Sequence, residues 1–308
     1  MSLTGTDRES LLSQWIKPSS NSEQERQERA VRMIKDAIKA HSAFDGVNIA
    51  IYAKGSYANN TNVRKDSDVD IVVECRECYY YDFDPRVTLS DRASARQSIS
   101  PYRGKWTADV WRTEVVSAVK NKFGEAGVDI SGNIAINISE VAGSRPSADV
   151  VPSFEHRRFL CADIANLCPG SHVVGKDGAE VVNWPIQQLE NGRRKNTRTG
   201  GRYKHMVRAL KNIENVLVNH GLLQDLPSYL MECLVYNVAD GTLKAGSLDD
   251  AFQGVLLELA APLASTNGTD HWMEPNEIKH LFSEQQKWTT EDARRLICTS
   301  LQFMGYLD

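Results

Sequence analysis

The chain has 308 residues, a formal net charge of −4 and six cysteines. Its length exceeds what one small core requires, so two packed lobes are expected; its slightly acidic balance excludes the broad basic surface with which proteins clamp long duplex DNA. No apolar stretch approaches the roughly 18 residues of a membrane span, and Met1 to Glu9 lacks the cationic and apolar regions of a secretory signal, so a cytoplasmic protein is expected.

In chain order, Ser22-x-x-Glu25 fits a capping box that opens an amphipathic helix running to about His41, with Val31, Ile34, Ala37 and Ile38 inward. Val47 to Ala53 then reads as a strand that delivers the chain into Lys54-Gly55-Ser56. Glycine lets backbone approach a phosphate closely and serine adds a hydroxyl donor, so Gly55 and Ser56 read as a phosphate-cradling turn. Asp68-Val69-Asp70 runs directly into Ile71-Val72-Val73. With a strand period of two, Asp68 and Asp70 share one face while Val69 and Ile71 enter a core. Two adjacent carboxylates repel, and a divalent cation is the simplest partner that lets both stay charged; magnesium takes hard oxygen ligands and is typically held by one or two carboxylates plus substrate phosphates.

Residues 79 to 106 read as an irregular excursion before a helix around Val110 to Phe123. The alternating Asn133 to Ile138 and the short Ser147 to Val151, ended by Pro152, read as neighbouring strands of a mixed sheet, and such a neighbour could bring Asp149 beside the first two carboxylates. Asp149 on this reading is either the third acidic ligand or a surface aspartate at a strand start. Lys176-Asp177-Gly178 marks a hairpin between His172 and Asn183. The basic run from Arg193 to Lys204 reads either as a flexible polar loop or as a lid or RNA contact.

From Thr199 the pattern is largely helical, through Ala251 to Leu263 and Thr290 to Met304. Met206, Val207, Leu210, Ile213 and Leu217 follow helical spacing, with Lys204, Arg208 and Lys211 on a neighbouring face; such a stripe either neutralises a triphosphate or is simply solvated. Pro227 marks a helix start that places the Ser228 hydroxyl near the positive helix end, and Tyr229 is either a nucleobase platform or a core tyrosine. Cys75-x-x-Cys78 has no matching second pair, and Cys161, Cys168 and His172 are only loosely grouped, so reduced, packed thiols are expected rather than zinc. His156 has no serine elbow to serve and reads as structural or at a cleft rim.

The string Gly55 to Val73, with Asp149-Val150-Val151-Pro152 downstream, resembles the polymerase-beta-like nucleotidyltransferases, and more narrowly the bacterial cGAS/DncV-like nucleotidyltransferases (CD-NTases), including their pyrimidine-using CdnE-like clade. Tyr203 to Lys211 resembles the family helix whose Arg-x-x-Lys faces the triphosphate, and Leu226 to Leu234 the next helix, whose first residues touch the donor nucleotide. The resemblance implies an α+β fold, a mixed sheet with flanking helices plus a C-terminal helical lobe, divided as residues 1–165 and 166–308. It implies two Mg²⁺ ions, for which Mn²⁺ can substitute, on Asp68, Asp70 and Asp149. It further implies nucleotide contacts from Gly55, Ser56, Arg208, Lys211, Ser228 and Tyr229. The implied activity joins NTPs, ATP with UTP or another NTP, into a cyclic dinucleotide or oligonucleotide that signals to an antiphage (CBASS) effector, from a monomer needing no nucleic-acid activator. Asn183 to Gly192 resembles members that accept pyrimidines. The alternatives are another nucleotidyltransferase, tailing RNA, making oligoadenylates or adenylylating a small molecule or protein, and an inactive binding module.

Overall fold

The computed structural model describes residues 3–18, 21–63 and 68–307, without the side chains of residues 21–23. In chain order the first half contains α1 (Gly5–Trp15), α2 (Asn21–Lys39), β1 (Ile49–Ala53), α3 (Gly55–Ala58), β2 (Val69–Phe83), α4 (Leu89–Gln97), α5 (Ala108–Phe123), β3 (Val128–Asp129), β4 (Ile136–Ile138) and β5 (Ala148–Phe159). It continues with β6 (Leu167–Val174), β7 (Glu180–Asn183), α6 (Pro185–Arg198), α7 (Arg202–Asn219), α8 (Ser228–Tyr236), α9 (Asp240–Leu243), α10 (Leu248–Leu263) and α11 (Thr290–Phe303). The class is α+β, as expected.

Contacts divide the chain into two units, one of residues 21–57 and 66–186 and one of residues 1–20, 58–65 and 187–308. The division thus falls near residue 186 rather than 165, because β6 and β7 continue the sheet through antiparallel pairing with β5. In the first unit seven strands form one sheet in the order β1-β2-β5-β4-β3, with β6 pairing β5 and β7 pairing β6. Alternation sets its two faces. Val69, Ile71, Val73 and Cys75 of β2 pack with Val150 and Phe154 of β5, Ile34 and Ile38 of α2, and Trp111 and Val115 of α5. The Trp111 indole Nε1 donates to the Val73 carbonyl at 3.1 Å, which satisfies that polar atom within the apolar face. Thr107 caps α5 by accepting from the Val110 amide, and Gly124, at φ 79°, ends it.

Two expectations change. The stretch after Cys75 is not irregular: β2 resumes after a register shift, pairing Tyr79 to Phe83 in parallel with Glu155 to Phe159, and α4 follows, capped by Thr88. Nor does Pro152 end its strand. It lies where β5 has finished pairing with β4 at Val150 and has not begun pairing with β6 at Phe154, so its missing N–H costs no ladder bond on that side. The Ser22 side chain of the expected capping box lies outside those described, although the helix itself is present as α2.

His156 is buried, stacked on His172 at 5.6 Å and edge-on to Trp184, so it serves packing. Burial pushes the His172 imidazole down to about 4. Among the described residues there is no disulfide and no cluster of three or more His, Cys, Asp and Glu side chains placed to hold an ion, so Cys161, Cys168 and His172 do not assemble one.

The second unit has an apolar centre built by α7, α8, α10 and α11 with Leu12 of α1. Capping boxes at Thr4–Asp7, Ser247–Asp250 and Thr289–Asp292 start α1, α10 and α11. The basic run beginning at Arg193 is helix rather than loop: Lys195 of α6 is buried and donates to the Val238 carbonyl at 2.7 Å and to Asp240 at 3.0 Å. Among the described residues no helix is long and apolar enough to cross a membrane.

Candidate active site

The face of the sheet opposite the apolar core carries the acids. Parallel pairing sets Asp70 of β2 directly beside Asp149 of β5, and antiparallel pairing sets Asn137 of β4 on the other flank of Asp149. Asp68 enters just ahead of β2. The Asn137 Nδ2 donates to Asp68 Oδ2 at 3.2 Å and to Asp149 Oδ1 at 3.2 Å, so one amide touches both outer carboxylates. The structure therefore brings all three predicted aspartates together.

Their electrostatics follow from crowding. Burial raises the Asp70 carboxyl; Lys54 pulls it down, and Asp149 and Asp68 push it up again. Asp149 is raised by burial and by Asp68, against the Asn137 hydrogen bond and Lys54. Lys54, lowered by burial and raised by Asp70 and Asp149, is a neighbouring cation, and among the described residues it offsets only part of the charge of three carboxylates. The donor set is all hard oxygen, which suits Mg²⁺ or Mn²⁺. Among the described residues the three carboxylates are not drawn around one common point, so an ion here would need water and substrate phosphate for its remaining ligands.

Gly55 begins α3 immediately after β1, with φ at 73°, and a Cβ there would stand 2.5 Å from Asp70 Oδ2. Both the left-handed backbone and the contact demand glycine. Gly55→Ala is expected to displace the Asp70 carboxylate, cutting nucleotidyl transfer by roughly a hundredfold, the cost of an ångström-scale misplacement, and lowering stability by about 1–2 kcal/mol. Product formation and thermal unfolding measured on the same preparation test this; near-native turnover would show that the close approach is incidental. Ser56 follows within the same turn, half-buried.

In the helical unit Arg208 and Lys211 do lie on one face of α7, but both are buried, at 4 % and 2 % exposure. Arg208 donates to the carbonyls of Ile16 at 2.7 Å and Asn60 at 2.8 Å, and Lys211 donates to the Thr61 hydroxyl at 3.3 Å. Burial pushes Arg208 down to about 10 and Lys211 to about 8, the latter against the pull of Glu232. These donors hold the segment that follows α3, in which Asn60 takes a left-handed φ of 52°. Glu232 of α8 completes the clamp, accepting from Asn59 Nδ2 at 2.8 Å, Thr61 Oγ1 at 3.2 Å and Gln188 Nε2 at 3.2 Å. Ser228 opens α8 and is exposed after Pro227. Tyr229 donates its hydroxyl to Glu274 at 3.1 Å and meets the Trp288 ring in a T-shaped contact.

Sequence reasoning passed over Asn137, Lys54 and Glu232. Asn137 was findable, since it occupies the polar phase of an alternating run whose apolar phase, Ile136 and Ile138, is buried.

The strand, the glycine turn and the Asp-x-Asp strand with a third aspartate alongside make up the candidate site. The model of the cGAS/DncV-like nucleotidyltransferase C-terminal helical domain matches residues 190–305. The cyclic dipyrimidine nucleotide synthase CdnE of Legionella pneumophila is 34 % identical, covering 97 % of this chain and 98 % of that protein. The cyclic dipurine nucleotide synthase of Elizabethkingia meningoseptica is 30 % identical, covering 97 % and 98 %. The structure of the Rhodothermus marinus CdnE c-UMP-AMP synthase with Apcpp and Upnpp superposes with a TM-score of 0.82 at 25 % identity, covering 97 % of each chain. The chain belongs to the cGAS/DncV-like nucleotidyltransferases, in the CdnE clade, and is a nucleotidyltransferase.

Proposed function

We propose that the protein joins NTPs into a cyclic dinucleotide, with a uridine in the product, as a second messenger for an antiphage effector in the bacterial cytoplasm. The observation that carries the reading is the row Asp70–Asp149–Asn137, with Asp68 tied to it, against a glycine turn. Asp68, Asp70 and Asp149 would hold two Mg²⁺ or Mn²⁺ ions, and ions so held neutralise triphosphate charge and lower the pKa of the acceptor 3′-hydroxyl. The turn at Gly55 and Ser56 orients the β and γ phosphates. Arg208 and Lys211 place positive charge in a low-dielectric setting and fix residues 59–61, and the Ser228 hydroxyl is exposed at the start of α8. In each round the hydroxyl oxygen bonds to the α-phosphorus of the donor and pyrophosphate departs; repeating the step within the linear dinucleotide closes the ring.

Support for uridine comes from relatives named for dipyrimidine and UMP-AMP products. The relative named for a dipurine product at 30 % identity makes a purine ring the second reading. Incubating the purified monomer with all four NTPs and Mg²⁺, without nucleic acid, followed by phosphatase and mass spectrometry, separates them. A uridine-containing cyclic product is expected; an exclusively purine product supports the second reading, and no phosphatase-resistant product removes both.

A further inference from the structure

We propose that Asn137 is a positioning residue of the carboxylate centre: a neutral, two-armed donor that sets the spacing of Asp68 and Asp149. The inference rests on the reading that this centre takes divalent ions. A side-chain amide nitrogen carries two hydrogens, and here both are used, one on Asp68 Oδ2 and one on Asp149 Oδ1, each at 3.2 Å. Asp149 is fixed by the ladder on both sides of its strand, whereas Asp68 precedes the first residue of β2. Among the described residues, the Asn137 amide is what ties the Asp68 carboxylate to the sheet. The direction of that amide is itself set, because Ile136 and Ile138 are buried on the opposite face and a slip in register would expose them.

The residue type matters. A lysine in this place would neutralise the carboxylates and compete with a metal ion; an aspartate would add a further like charge beside Asp68 and Asp149. An amide eases the repulsion by hydrogen bonding while leaving the negative charge available to a cation. Partners of this kind, which hold ligands rather than bind the ion, typically change metal affinity by about 10–100-fold when removed.

The test is a Mn²⁺ titration followed by electron paramagnetic resonance of the free ion, with a non-hydrolysable NTP analogue present so that turnover plays no part. Asn137→Leu, similar in size and without donors, is expected to weaken Mn²⁺ binding about 10–100-fold, and Asn137→Thr, which suits a strand and keeps one donor, is expected to fall between it and wild type. In turnover, Asn137→Leu should need more Mn²⁺ for half-maximal rate and regain most of the wild-type rate at saturation, a split that general loss of fold would not produce. Mn²⁺ affinity within twofold of wild type in either correctly folded variant overturns the positioning role. A wild-type protein that binds Mn²⁺ with the expected Asn137 dependence, yet makes no cyclic product, would remove the proposed function and leave this role standing; a wild-type protein that binds no Mn²⁺ removes the role.

Discussion

Asp70→Asn is expected to cut nucleotidyl transfer by about a thousandfold or more while leaving the protein no less stable than wild type. The two halves of this result have one cause. Asp70 is paired beside Asp149 and lies near Asp68, partly buried, and its carboxyl is raised by burial and by both neighbours despite Lys54. Holding its charge in place therefore opposes folding, and an isosteric amide removes both the desolvation and the repulsion. Relief of about 1 kcal/mol is the expected order, since substitutions that release the strain of a crowded active site commonly stabilise by this much. Catalysis has the opposite dependence. A centre that gathers cations to neutralise a triphosphate loses several kcal/mol of transition-state stabilisation when one carboxylate goes, and each 1.36 kcal/mol is a factor of ten in rate. Thermal unfolding and product formation for Asp70→Asn and Asp149→Asn decide the matter. Retained turnover would mean that the carboxylates serve something other than nucleotidyl transfer, and a large fall in melting temperature would mean that they hold the sheet together.

Period and spacing made the acidic centre legible because a strand leaves little choice: once Val69 and Ile71 are buried, Asp68 and Asp70 must face the other way. The same rule put Asp149 on that face, although only parallel pairing of β2 with β5 set it opposite Asp70. Spacing along α7 was less informative. It shows that Arg208 and Lys211 share a face but not what that face meets, and here it meets Asn60 and Thr61, which lie about 150 positions earlier in the chain. The strand continuation at Tyr79 to Phe83 was hidden by a three-residue interruption, since pairing with β5 jumps from Cys75 to Tyr79 while β5 advances by a single residue. Pro152 misled for a related reason: a proline ends a strand only where its N–H would have been needed.

Glu232→Ala is expected to lower stability by about 3–5 kcal/mol, the usual cost of leaving one member of a buried charged network unpaired, and so to lower the melting temperature by roughly 10 °C. Glu232 is 3 % exposed and accepts from the buried Asn59 and Thr61 and the half-buried Gln188, three hydrogen bonds that the substitution removes. Lys211, 2 % exposed, would lose the carboxylate that now opposes its downward shift. The pH dependence gives this away. Lys211 is pushed down to about 8 from 10.5, so between those values the unfolded chain binds more protons than the folded one, and stability attributable to this lysine rises with pH across that window. Removing Glu232 lowers the folded value further and extends the window downward, so the lysine-linked part of the Glu232→Ala penalty is greatest below neutrality and is gone above about 8, where Lys211 is neutral in both folded proteins. Glu232→Gln, which keeps an acceptor, should cost about 1–2 kcal/mol, and combining it with Lys211→Met should restore part of that loss because no buried cation is then left over. Urea unfolding at pH 7 and pH 9.5 for the three variants tests the scheme. A Glu232→Ala protein within about 0.5 kcal/mol of wild type, the range of ordinary surface changes, would show that the segment after α3 holds its left-handed turn at Asn60 without the clamp.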